Sequence, residues 1–396
     1  MKKSTLAILI ILAAIITHAY LSVHYYPVKF GTATGDSVCN INSTFNCDSV
    51  AASEYSSFLN IPLAVWGVVT NILLFILLAI PLMGFTEKPK QYFSAAFYFS
   101  TVVLSASFVM GGVSLVKLNT YCLFCIIAYI LSIFSFELIR RINNEENPEK
   151  DFKLEFTNLK LLIIALFMIP VLSFIVHKAV MASYDADIKK SGQGSLESFI
   201  HRSVKGWEST PKFDFPDSDA LTMGPADAKI VIVEFADFLC PHCKKAAPSL
   251  HSFTKSHPDV QLKFYAFPLD GSCNKAIKRT GGGERCKLAK ATYCANQKGF
   301  GWPMHDYLLN NQEKMQSHDA IDSGIKHVLE KDFPMLSFES FKVCLDSEET
   351  HEAILKHAAR GETAKIEGTP TVFLQGKKLN GGQILPILEG AYKTLK

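Results

Sequence analysis

The chain has 396 residues, 48% of them hydrophobic and only 19% charged, and carries a net charge of +3. Such a length allows two or three domains, and so mild a charge, without any dense Lys/Arg run or aromatic-interleaved basic patch, excludes a nucleic-acid binder. The averages hide a division, because the first 180 residues are apolar and the remainder reads as soluble.

Five stretches without charge, near 4–26, 61–84, 91–116, 118–136 and the shorter 161–176, match the roughly 20 residues a helix needs to cross a bilayer. Buried helices of a soluble core would leave this half no polar surface to solvate, so the sequence predicts a membrane bundle of about five helices. With the N-terminus inside, Lys2, Lys3, Lys88, Lys90, Arg140, Arg141, Lys150, Lys153 and Lys160 all lie inside, against Lys29 and Lys117 outside. Positive charge accumulates on the cytoplasmic side, so this orientation is expected. The opening "MKK", followed by an apolar run ending "THA", also fits a cleaved signal peptide. The other four crossings still leave the C-terminal half outside. All ten cysteines then face one oxidising compartment, for which the bacterial periplasm is the natural candidate. The expectation is a multi-pass protein of the inner (plasma) membrane.

Cys39 and Cys47, in the first outer loop, are separated by "NINSTFN". This reads as a mobile loop whose disulfide swings between a soluble domain and Cys122, with a static clamp as the alternative. Cys122 and Cys125 in "NTYCLFCIIAYILSIFSF" open a charge-free segment where water meets hydrocarbon. A thiol pair there exchanges disulfides on its wet side and meets a lipid-soluble oxidant on the other. A quinone accepts the two electrons that one dithiol releases. The bland alternative is a pair of ordinary buried helix cysteines.

Residues 181–222, interrupted by Gly, Ser and Pro, read as a tether with one short helix. Beyond it, "AKIVIVEFADFLC" is β-rich, "HCKKAAPSLHSFTKS" has helical spacing, and "VQLKFYAFPLD" is a second strand. Helical text over 287–360 precedes "TPTVFLQGKKL" and the closing helix of "GGQILPILEGAYKTL". Strand, CxxC at a helix start, helical insertion and strand after Thr-Pro make the plan of an enlarged α/β thioredoxin fold. In "CPHC", Cys240 stands at a helix N-terminus, where free N–H groups and the macrodipole favour a thiolate and make the disulfide more oxidising. His242 between the cysteines points the same way. Zinc would want a second ligand pair at similar spacing, and no other CxxC or His pair is read in this domain, so no metal is expected. Cys273, Cys286, Cys294 and Cys344 are read as structural bridges, their connectivity left open.

Two resemblances join these observations. "EFADFLCPHCKKAAPSL" and "EGTPTVFLQGK" resemble the active-site segment and cis-proline loop of DsbA-like oxidoreductases, over about 223–396. The resemblance implies that Glu234 is a buried acid assisting proton transfer, that Pro370 faces the Cys240/Cys243 pair, and that the backbone of Thr369 pairs with a bound peptide. "CNINSTFNCDSVAASEYSSFLNIPLAVWG" and "YCLFCIIAY" are similar to integral-membrane vitamin K epoxide reductase (VKOR) and its bacterial homologues, over about 5–140. This implies that Cys39 meets the soluble partner, Cys47 exchanges with Cys122, and Cys125 passes electrons to the quinone, with Tyr129 approaching the ring. Trp66 is a candidate wall of that pocket. The chain departs from the family at Asn60, where many bacterial members have glycine, and at Leu63, where the animal enzymes carry a quinone-binding asparagine. Vitamin K epoxide is therefore not the expected substrate.

The combined expectation is a VKOR-like membrane domain at 1–180, a periplasmic linker at 181–222 and a DsbA-like domain at 223–396. Cys240/Cys243 would oxidise thiols of exported proteins, and electrons would pass through Cys39/Cys47 and Cys122/Cys125 to ubiquinone or menaquinone in the lipid bilayer. The alternatives are a quinol-linked disulfide reductase or isomerase, and a membrane-anchored peptide-binding module with structural disulfides.

Overall fold

The structure, a computed structural model, describes residues 2–32, 37, 39, 45–118, 121–147, 156–190, 192, 194–216 and 219–396. The chain divides into two compact units, one of residues 1–27 with 37–196, the other of 28–36 with 197–396.

The first unit is a helical bundle. Helices α1 (Lys2–Phe30), α3 (Leu63–Leu82), α4 (Pro89–Lys117), α5 (Leu123–Glu146) and α6 (Phe156–Lys190) are the long ones, and a short helix α2 (Cys47–Ala52) lies between α1 and α3. Five spans in them are long and apolar enough to cross a membrane, which makes this a multi-pass membrane protein. The bundle is knit by Ile11, Leu74, Leu78, Phe99 and Ile139, with Ala95 and Ala96 letting α4 approach its neighbours. On its outside Phe108, Leu115, Val116 and Phe167 are largely exposed, as suits a surface whose solvent is lipid. The helices overrun the apolar stretches that mark them. α5 continues through Arg140 and Arg141, both paired with Glu137 one turn back.

Before α3, strands β1 (Ser57–Phe58) and β2 (Ile61–Pro62) form a tight hairpin. Its two turn residues, Leu59 and Asn60, have φ of 52° and 61°. Asparagine tolerates this left-handed region better than most residues, which suits Asn60 to the turn.

The second unit is built on a sheet of order β3-β5-β4-β6-β7. Its strands are β3 (Leu221–Met223), β4 (Ile230–Ala236), β5 (Val260–Ala266), β6 (Thr371–Leu374) and β7 (Lys377–Lys378). The neighbours β4 and β5 run parallel, joined through α8 (Pro241–Ser256), whereas β6 runs antiparallel to β4. Between β5 and β6 come α9 (Glu284–Gln297), α10 (Gly301–Asn310), α11 (His318–Asp332), α12 (Phe338–Leu345) and α13 (Glu348–Thr363), and α14 (Leu385–Lys393) closes the fold. This is the thioredoxin fold with a helical insertion that the sequence predicts. Ser317, Ser337 and Ser347 each cap a helix of the insertion by accepting a backbone N–H. Disulfides join Cys273 to Cys286 and Cys294 to Cys344, worth about 3 and about 4 kcal/mol on the chain-entropy account.

The stretch expected as a tether carries more structure than one short helix. α6 runs on to Lys190, and α7 (Leu196–Glu208) docks through Trp207, whose Nε1 donates to the Leu374 carbonyl (3.1 Å). β3 begins at its end, too short at three residues to show the alternation by which a strand is read.

Candidate functional site

In the second unit the chemistry starts from β4. Its buried run ends at Ala236, and the chain turns so that Cys240 becomes the N-cap of α8, with Pro241 in the first helical position. Asp237 holds this turn, accepting from the N–H of Leu239 (2.8 Å) and of Leu269 (2.7 Å) and pairing with Arg285. Gln312 of the insertion donates to the carbonyls of Phe238 and Cys240 at 2.9 and 3.2 Å. Sequence reasoning passed over Asp237, Arg285 and Gln312, whose roles depend on contacts far along the chain.

Cys240 and Cys243 are free thiols. Cys240 Sγ lies 3.2 Å from the carbonyl oxygen of Thr369, across a cis Thr369–Pro370 peptide. A hydrogen bond from the Cys243 thiol brings Cys240 down, burial opposes it, and Thr369 with the backbone N–H groups of Cys243 and His242 completes a fall to about 5. Burial, then the hydrogen bond to Cys240, drives Cys243 far the other way. The result is one ionised sulfur and one sealed thiol. The His242 side chain is exposed. Glu234, 1% exposed on β4, has a carboxylate oxygen with no partner among the described residues. Burial first, and the charge of Cys240 second, raise it to about 8.

The fold also assembles a His pair that linear spacing conceals. His251, His305 and Asp306 offer donor atoms within 4.8 Å of one another. Asp306 accepts from His305 Nδ1 at 2.8 Å, so the group is satisfied in part as a hydrogen-bond cluster between α8 and α10.

In the first unit two disulfides, Cys39–Cys47 and Cys122–Cys125, meet in one cluster. Cys47 Sγ lies 3.4 Å from Cys122 Sγ. A short bridge places them so: Phe45 pairs with Tyr121, and Asn46 donates its N–H to the Tyr121 carbonyl (2.9 Å). Asn46 then caps α2 through Ser49 N–H (2.7 Å), while Cys122 caps α5, its sulfur accepting from Cys125 N–H (3.0 Å). The loop expected to be mobile is therefore pinned at its second end, and Cys39 is fully buried; its residues 40–44 lie outside the described ones.

Beneath the sulfurs opens a cavity of about 240 Å³, lined by Cys47, Cys122 and Cys125 together with Trp66, Tyr129 and Leu63. Its wall is largely apolar, with a few polar groups such as His18 and Asn71, the composition of a pocket for a flat, weakly polar ring. These residues fit a quinone. Trp66 Nε1 donates to the Phe58 carbonyl (3.3 Å), fixing the indole to the hairpin before α3. His18 escaped the sequence reading, although an ionisable side chain inside a membrane span is itself a functional signal.

Comparisons with known proteins agree with this division. Residues 5–139 match the Vitamin K epoxide reductase family and residues 231–393 the DSBA-like thioredoxin domain. A probable disulfide bond formation protein D of Bacillus anthracis is 28% identical over 170 residues, 42% of this chain and 74% of that protein. A Na(+)/H(+) antiporter of Salinispora tropica is 26% identical over 176 residues, 44% of this chain but only 24% of the antiporter. Among solved structures, oxidised BdbD from Bacillus subtilis superposes with a TM-score of 0.39 at 20% identity, covering 47% of this chain and 98% of that one.

Proposed function

We propose that this chain, a vitamin K epoxide reductase-family domain joined to a DsbA-like thioredoxin domain, is a disulfide-forming oxidoreductase that carries electrons from protein thiols to a membrane quinone. The observation that carries the proposal is the 3.4 Å approach of Cys47 to Cys122, because disulfide exchange requires direct contact of sulfurs.

In the oxidised Cys240–Cys243 pair, a thiolate of a reduced exported protein attacks Cys240 and Cys243 is expelled. The substrate's second thiol then closes its own disulfide and releases Cys240, which leaves easily because it is stable as the thiolate. Glu234 is the buried group that takes and returns the proton of Cys243. Thr369, beside Pro370 and next to the sulfur, offers its backbone to an extended peptide. The reduced pair hands its electrons to Cys39/Cys47. Cys47 then attacks Cys122, and Cys125 is left as the thiol facing the cavity, with Tyr129 and Trp66 in its wall. A quinone bound there supplies two-electron acceptance in the lipid phase. Ubiquinone and menaquinone both suit the apolar wall.

The excess of Lys and Arg in the loops on the other side supports a periplasmic thioredoxin-like domain, with boundaries near 180 and 222. The low-lying Cys240 favours oxidation over the reverse, quinol-driven direction, since a stable thiolate raises the disulfide's potential.

The test is quinone reduction by the purified full-length chain, anaerobically, with a reduced peptide as donor. Stoichiometric quinol and peptide disulfide are expected. Cys125→Ala should produce no quinol and accumulate a Cys47–Cys122 link on non-reducing gels. Normal turnover in that variant removes Cys125 from the path.

A further inference from the structure

His18 lies on α1, and its Nδ1 is 2.8 Å from the Ala14 carbonyl oxygen. A carbonyl only accepts, so Nδ1 carries a hydrogen and the tautomer is fixed: Nε2 presents a lone pair in the neutral ring and an N–H in the cation. Among the described residues Nε2 has no hydrogen-bond partner, yet it is not one of the sealed orphan atoms such as Ser173 Oγ. His18 lines the same cavity as Cys122, Cys125 and Tyr129, so Nε2 opens onto it.

The opposing helix is cut to fit this ring. A Cβ built on Gly67 of α3 would overlap the His18 imidazole at Cδ2, Nε2 and Cγ. The glycine has no positive φ and no turn to make, and its place in mid-helix costs about 1 kcal/mol against alanine. Its missing side chain is occupied by the imidazole. Asn71, one turn on, donates Nδ2 to the Gly67 carbonyl (2.8 Å) and lines the cavity as well.

We propose that His18 is the catalytic residue that passes a proton to the quinone oxygen in this cavity, and that Gly67 is the residue that positions it. The inference rests on the quinone-reducing reading above. As the Cys122–Cys125 bond forms, two electrons and two protons leave the dithiol, and their delivery to a quinone yields a quinol. One of the protons travels through Nε2: the imidazolium N–H releases it to the carbonyl oxygen, and the neutral ring is recharged by the proton that the next reduced Cys122/Cys125 pair gives up. The other reaches the second oxygen from the aqueous side.

Purified full-length chain, decylubiquinone and a reduced peptide test this. His18→Gln keeps volume and hydrogen bonding but carries no mobile proton, and should lower kcat about 10²-fold, the usual share of one acid–base group. It should also abolish the fall of kcat with rising pH that the imidazole imposes. Gly67→Ala should reproduce the loss in the wild-type background and add nothing in His18→Ala, where the ring no longer needs the space. Independently of turnover, diethyl pyrocarbonate should label His18 at Nε2 and excess decylubiquinone should protect it. Wild-type kcat and an unchanged pH profile in His18→Gln, equal harm from Gly67→Ala in both backgrounds, or labelling without protection would each overturn the proposal. A wild-type chain that reduces no quinone, while still exchanging disulfides, would instead overturn the reading beneath it.

Discussion

Cys240 and Cys243 are three residues apart in sequence and move in opposite directions on titration. The first is held down at about 5 by donated hydrogen bonds, and the second is pushed up by burial. The fold therefore favours the ionised Cys240, an advantage complete above the ordinary thiol value of 9 and lost as pH falls through about 5. Iodoacetamide labelling of Cys240 in the reduced chain should accordingly reach half its maximal rate near pH 5, and a midpoint near 9 would remove the basis for an oxidising pair. Glu234 has the opposite sign: raised from 4.5 to about 8, it favours the protonated native state, so stability is lost as pH rises through that window. Glu234→Gln should leave the urea midpoint of the thioredoxin-like unit unchanged at pH 4 and raise it at pH 8, by Trp fluorescence, while slowing closure of the Cys240–Cys243 bond. A variant that closes the bond as fast as the wild type at both pH values would deny Glu234 its part in proton transfer.

At the scale of elements, legibility in the sequence followed the reach of each interaction. Apolar runs, the CxxC at the start of α8 and the strands β4 and β5 are local patterns, and all were readable. The pinning of Phe45 and Asn46 to Tyr121 joins segments about 75 residues apart through two backbone contacts that leave no pattern in composition. His18 and Gly67 are likewise unremarkable singly, since a histidine and a glycine mean something here only when two helices bring them together. The disulfides of the insertion show the same limit, as four cysteines permit three pairings and packing selects one. Cys294–Cys344 ties the last turn of α9 to α12, whereas Arg285, the partner of Asp237, stands in the first turn of α9. Replacing both with serine should cost about 2–5 kcal/mol of stability, measured as a lower urea midpoint, yet leave the Cys240 labelling midpoint near pH 5. A shifted midpoint would mean that the bridge tunes the active sulfur through α9.

For the molecule as a whole, relay of a disulfide places a demand on topology that no single unit can meet. Three thiol pairs on separate parts of the chain must reach one another, so all must stand on one side of the bilayer. The charges of the loops favour this arrangement, since Lys88, Lys90, Arg140 and Arg141 gather between the apolar stretches and each resists transfer across the membrane. After reduction of intact spheroplasts, a membrane-impermeant maleimide should label Cys122 and Cys240 from outside, whereas a cysteine introduced by Glu87→Cys, between α3 and α4, should label only once the membrane is opened. Labelling of Cys122 and Cys240 from opposite sides would leave the soluble oxidant without a route to the quinone, because a thiolate cannot cross the hydrocarbon to reach its partner.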